Sequence, residues 1–93
     1  NDNYKGQLMR LFQRKYKGKL PTYKLIKEEK NERNQTTFHV QVLTPYGQAV
    51  GYGFGNSKQT AEKFSARQAL AHKLYKEDIA NGILDKRMNP TIQ

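Results

Sequence analysis

Ninety-three residues are enough for one small domain with a single modest core. Seventeen Lys and Arg against eight Asp and Glu leave a formal net charge of +9, which disfavours acidic surface binding chemistry and favours a polyanion such as nucleic acid or an anionic membrane; a basic surface kept soluble by its charge is the plainer alternative. With no cysteine there is no disulfide, thiolate zinc site or thiol nucleophile, and no apolar run approaches the ~20 residues of a membrane span.

The stretch NYKGQLMRLFQRKYKGKL reads as a helix. Leu8, Leu11, Phe12 and Tyr16 recur at spacings of three and four, a stripe that faces a core. The basic residues Lys5, Arg10, Arg14 and Lys17 fall mostly outside it. Gly18 is a stop signal, and Pro21 prevents continuation. TYKLIKEEK carries Tyr23, Leu25 and Ile26 in strand-like company, and NERNQ is a polar loop. TFHVQVLT alternates strictly. Its period of two predicts Phe38, Val40 and Val42 on a buried face and His39 and Gln41 in water. TPYG is a β-turn, with Pro45 second and Gly47 fourth. QAVGYGF is a third strand, weakened by its glycines.

A second helix starts after Gly55. Ser57 is its N-cap, and Thr60 stands where a capping box would place Glu or Gln. Ala61, Ser65 and Ala69 make one ridge, and Ala66, Leu70 and Leu74 the next. Small residues on a ridge allow a helix to lie close against a sheet. Gly82 breaks the helix, and ILDKRMNPTIQ follows as an extension whose Ile83, Leu84 and Met88 need cover. The order helix, three strands, helix predicts an α+β fold: α-β-β-β-α, two helices packed on one face of a three-stranded antiparallel sheet, plus a short C-terminal helical extension. The domain spans 3–75, and 76–93 form the extension and tail.

GYGFGNSK poses a choice, because glycine-rich loops that open helices commonly hold phosphate. A P-loop needs G-x-x-x-x-G-K-[ST], and a dinucleotide site needs its glycines within a βαβ unit. Spacing and context exclude both. Two readings remain: a glycine-shaped turn from strand to helix, or a helix start that meets a polynucleotide backbone. Lys58 in the first turn opposes the helix dipole, a cost that suggests a function.

GYGFGNSKQTAEKFSARQAL resembles the G-x-G-x-S-K-K-x-A-K-x-x-A-A-x-x-A-L signature that ends the double-stranded RNA-binding domain. LPTYKL and FHVQV are similar to that family's P-x-Y-x-[LV] and F-x-V-x-V runs. NYKGQLMRLFQRKY resembles the start of copies attached to ribonuclease III and Dicer-type enzymes. The resemblance implies a module that binds A-form RNA over about 16 base pairs by shape, with little sequence preference. Helix one would enter one minor groove, the loop between strands one and two the next, and the start of helix two would straddle the major groove.

Carried over residue by residue, the resemblance makes Lys5, Gly6, Met9, Arg10, Gln13, Arg33, Asn34, Ser57, Lys58, Gln59 and Lys63 the RNA-binding residues. Gly6, Met9, Arg10 and Gln13 share one helix face. Arg10 stands where the family carries Glu; it either attracts phosphate or points into water. NERN aligns with the family's G-P-x-H, placing Asn34 at the His position, where an amide can still meet a 2′-OH; a mobile loop without fixed contacts is the alternative. The three family lysines align with Lys58, Gln59 and Glu62. Glu62 would repel phosphate unless a neighbouring base pairs with it, and Lys63 is the nearest substitute.

No catalytic set emerges. Glu28 and Glu29 are adjacent in a strand and face opposite ways, and His39 and His72 belong to no metal-ligand cluster. The chain is therefore expected to be a non-catalytic binding domain without metal or cofactor, cut from a longer intracellular RNA-processing protein and not tied to a membrane. The alternatives are a protein-interaction or dimerisation module of the same fold with weakened or lost RNA binding, and a ribosomal-protein segment. A homodimer or protein partner would use the Phe64, Ala71 and Tyr75 face or the extension.

Overall fold

The computed structural model describes residues 3–71, which run as α1 (Tyr4–Lys15), β1 (Thr22–Lys30), β2 (Thr36–Leu43), β3 (Ala49–Gly55) and α2 (Lys58–Leu70). The strands form one antiparallel sheet in the order β1-β2-β3. The expected α-β-β-β-α order is the observed one. Tyr75, His72, Leu74, Gly82 and the predicted extension lie outside the described residues.

The local signals act as their chemistry requires. Asn3 caps α1 by accepting from the Gly6 N–H at 3.1 Å. Leu8, Leu11 and Phe12 are fully buried along one stripe, where each such side chain contributes ~1.5–3 kcal/mol. Lys17 and Gly18 are left-handed, at φ 54° and 89°, and the Gly18 N–H donates to Gln13 O at 2.8 Å. That geometry closes the helix before Pro21. Ser57 caps α2 by accepting from the Thr60 N–H at 3.1 Å. Its hydroxyl also donates to Thr60 Oγ1 at 2.9 Å, a side-chain bond distinct from a capping box, in which Glu or Gln would accept from the cap's backbone N–H. The core joins Leu8, Leu11 and Phe12 of α1 to Val42 of β2 and to Ala66, Ala69 and Leu70 of α2.

Gly51 and Gly53 lie in the third strand as expected, but the glycines have a different role from that of a loop; Gly55 belongs to β3 as well. A Cβ on Gly51 would sit 2.2 Å from Ser65 O, and one on Gly53 2.3 Å from Ser65 N and 2.5 Å from Ala61 O. All three are backbone atoms of α2. The helix therefore lies almost directly on the strand's backbone, and the missing side chains create that approach. The turn itself is left to Asn56 and Ser57.

His39 is the second correction. It points to the outer sheet face, as its period predicts, yet it is nearly buried there. Tyr52 and Phe54 flank its ring, each with centroids 5.8 Å away. Its Nε2–H donates to Glu29 Oε1 at 2.7 Å, and its Nδ1 accepts from the Tyr52 hydroxyl. A register shift between Leu25 and Lys27 makes this possible. Before the shift, Tyr23 and Leu25 pair with the inward Val42 and Val40; after it, Lys27 pairs with the outward His39. Ile26 absorbs the extra residue, and Glu29 arrives on the outer face.

Candidate nucleic-acid interface

The strand register gathers two of the expected contact surfaces at one end of the sheet. Thr36 opens β2 and pairs with Lys30, while Phe38 pairs with Gly55 at the end of β3. The β1–β2 turn and the start of α2 therefore emerge side by side. Arg33 and Asn34 sit on the turn, Ser57, Lys58 and Gln59 on the helix start, and all but the half-buried Ser57 are exposed.

The turn is not a slack loop. Asn31 Oδ1 accepts from the N–H groups of Arg33 (2.9 Å) and Gln35 (3.0 Å). Its Nδ2 donates to Gln35 Oε1 at 2.9 Å, and its carbonyl accepts from the Asn34 N–H at 3.0 Å. Asn34 is left-handed, at φ 65°, a conformation that asparagine tolerates better than most residues. Asn31 is thus the hub that presents Arg33 and Asn34. An Asx-turn signature at the end of a strand could have identified it from sequence.

At the start of α2, Ser57 satisfies the Thr60 N–H. The first-turn N–H groups of Lys58 and Gln59 have no intrahelical acceptors, as in any helix, and this end carries the positive pole of the helix dipole. Gln59 and Lys63 line a cleft with Asn3, Tyr4 and Lys5 of the α1 start. The fold thereby brings Lys5, Gln59 and Lys63 together, although Lys5 comes from the opposite end of the sequence. The Lys63 ammonium lies 5.7 Å from the Phe64 ring centroid.

The α1 residues divide between two surroundings. Gly6 and Met9 line a groove with Leu20, Pro21 and Tyr23, while Arg10 and Gln13 are exposed further along the helix. A Cβ on Gly6 would lie 2.3 Å from Asn3 Nδ2, so any side chain there displaces the α1 cap. Gly6 consequently has a structural task as well as its place on the expected RNA-facing side.

Lys5 and Glu62 answer the condition attached to the acid in α2. The Lys5 ammonium donates to Glu62 Oε1 across 57 positions of sequence. It also lies 4.9 Å from the Tyr23 ring centroid. Burial, and secondarily the Glu62 charge, push the Tyr23 phenol well above its ordinary pKa. No local sequence signal could have found this pairing.

Among the described residues no group of three or more His, Cys, Asp and Glu is placed to hold a metal ion, and no helix is long and apolar enough to cross a membrane. Compared with models of known families, the double-stranded RNA binding motif matches residues 4–73. No curated protein matches the chain.

Proposed function

The chain belongs to the double-stranded RNA binding motif family, and on that premise we propose that it grips A-form RNA by shape, as the substrate-holding part of a larger RNA-processing protein such as a ribonuclease III or Dicer-type enzyme. The observation that carries this reading is the union of the Asn31-centred turn and the α2 start at one end of the sheet, both exposing cations. A preformed turn and a fixed helix start suit a ligand recognised by groove spacing rather than by base edges. Arg33 and Asn34 would reach one minor groove, and Met9, Arg10 and Gln13 another. Ser57, Lys58, Gln59 and Lys63 would meet the phosphates between them. The net charge of +9 supplies the sequence-independent attraction.

A titration with ~20-base-pair RNA, the same DNA duplex and single-stranded RNA at two salt concentrations tests the reading, because the expected footprint is about 16 base pairs. Preference for the RNA duplex with steep salt dependence is the expected result; no binding at low salt would overturn it. Replacing Lys58 and Lys63 by Ala should weaken binding to all duplexes alike and reduce the salt slope by roughly 1 for each phosphate-binding lysine removed. Unchanged low-salt affinity would remove α2 from the interface.

A protein-interaction module is the second reading. The exposed Phe54 (57%) and Phe64 (37%) favour it, since both line one groove at the β3 edge with Tyr52. Retained fold with no RNA binding would bring it forward.

A further inference from the structure

Charge counting alone makes Glu62 a defect: an acid on the helix that meets phosphate, at a position where the family signature carries lysine. The structure gives it a different task. Its carboxylate holds the Lys5 ammonium, which reaches over from the first turn of α1. Lys5 packs in turn against the Tyr23 ring of β1, so three elements converge on this one pair. The apolar contacts between the helices run deeper, through Leu8, Leu11 and Phe12 on α1 and Ala66, Ala69 and Leu70 on α2. Tyr4 and Arg67 meet nearby, the guanidinium carbon 5.9 Å from the ring centroid. Beside that cleft, Lys5 with Glu62 ties the start of α1 to α2. Their side chains are 41% and 28% exposed, so the pair is damped by solvent but lies within reach of a docked duplex.

We infer that Glu62 is a positioning residue for RNA binding: through Lys5 it holds the start of α1 against the start of α2, so that both surfaces meet a duplex in one fixed register. The inference rests on the RNA-binding reading above. It also accounts for the missing third lysine, because Glu62 draws a cation from α1 to that place. Its consequence has the opposite sign from simple charge counting. Removing this acid from the interface weakens RNA binding.

The test uses the whole chain with four changes: Glu62→Gln, Lys5→Met, the two combined, and the exchanged pair Lys5→Glu with Glu62→Lys. Affinity for a ~20-base-pair RNA duplex is measured across a salt series, with melting temperature alongside to confirm folding. Glu62→Gln should weaken binding about fivefold, as breaking one coupled pair does. Its salt slope should match the wild type, because every phosphate-binding cation is still in place. The combined variant should bind no more weakly than Lys5→Met alone. The exchanged pair should return to within about twofold of the wild type or better, since it restores the tie with the same total charge. Glu62→Gln binding as tightly as the wild type, or tighter, overturns the inference. So do single effects that simply multiply in the combined variant. A wild-type chain that ignores the RNA duplex overturns both this inference and the proposed function; a wild-type chain that binds while Glu62→Gln binds tighter overturns this inference alone.

Discussion

The two faces of β3 solve opposite packing problems with alternate residues of one strand. Inward, Gly51, Gly53 and Gly55 offer no side chain, and α2 descends until its backbone meets the strand's. Outward, Tyr52 and Phe54 are among the largest side chains in the strand, and they enclose His39 where no helix among the described residues covers the sheet. The inner face is held by close backbone approach, which tolerates no added volume. The outer face is held by movable side chains linked by hydrogen bonds, which can rearrange. The start of α2, where the expected phosphate contacts stand, hangs from the first face and not from the second. α2 starts where β3 ends, and its height above the sheet sets where Lys58, Gln59 and Lys63 stand.

This contrast orders the expected effects of substitution. The largest belongs to Gly53→Ala, whose new Cβ would meet Ser65 N and Ala61 O, backbone atoms that cannot swing aside. It should cost about 3 kcal/mol or more, at the upper end of overpacking effects, read as a drop in unfolding free energy in urea. A stable variant with unchanged melting temperature would mean that α2 does not lie so close. Gly55→Ala should be milder, because its nearest neighbour is the Thr60 side chain. On the outer face, Tyr52→Phe removes the hydroxyl that serves His39 Nδ1 and should cost ~1 kcal/mol, one hydrogen bond's worth. RNA affinity should not change with it. A variant that fails to bind RNA while staying folded would show the two faces to be coupled.

The smallest effect concerns pH. The hydrogen bond from His39, and then the bond and charge of Lys27, hold the Glu29 carboxyl below its ordinary pKa. The unfolded chain takes up this proton at higher pH than the folded one does. Glu29 therefore adds stability above the ordinary carboxylate range, and that stability fades as pH falls through the lowered folded value. Glu29→Gln should flatten the acid limb of melting temperature against pH slightly. An unaltered acid limb would separate Glu29 from the outer-face cluster.

Much of this arrangement is legible in the residues. The Leu8, Leu11 and Phe12 stripe, the stops at Gly18 and Pro21, the Ser57 cap and the small-residue ridge of Ala61, Ser65 and Ala69 depend on neighbours within a few positions. Local chemistry decides them, and periodicity exposes it. The signature around Ser57 and Lys58 points to the same helix start that the fold presents. The β3 glycines are harder: a glycine that bends the chain and one that admits a neighbouring helix look alike in sequence. His39 misleads for a related reason. Alternation gives its face correctly but cannot tell whether cross-strand rings and a register-shifted Glu29 will cover that face.

Spacing, caps and composition are enough to specify the order of elements, the faces that α1, β2 and α2 bury and the strongly basic balance, and the family is legible through the resemblance of the stretch around Ser57 to its signature. They do not specify how α2 lies on β3, how Glu29 reaches His39 or how Lys5 finds Glu62. Those depend on the register between strands and on contacts between residues as many as 57 positions apart. Such pairs meet only once the chain has closed around its core, and no local pattern encodes the meeting.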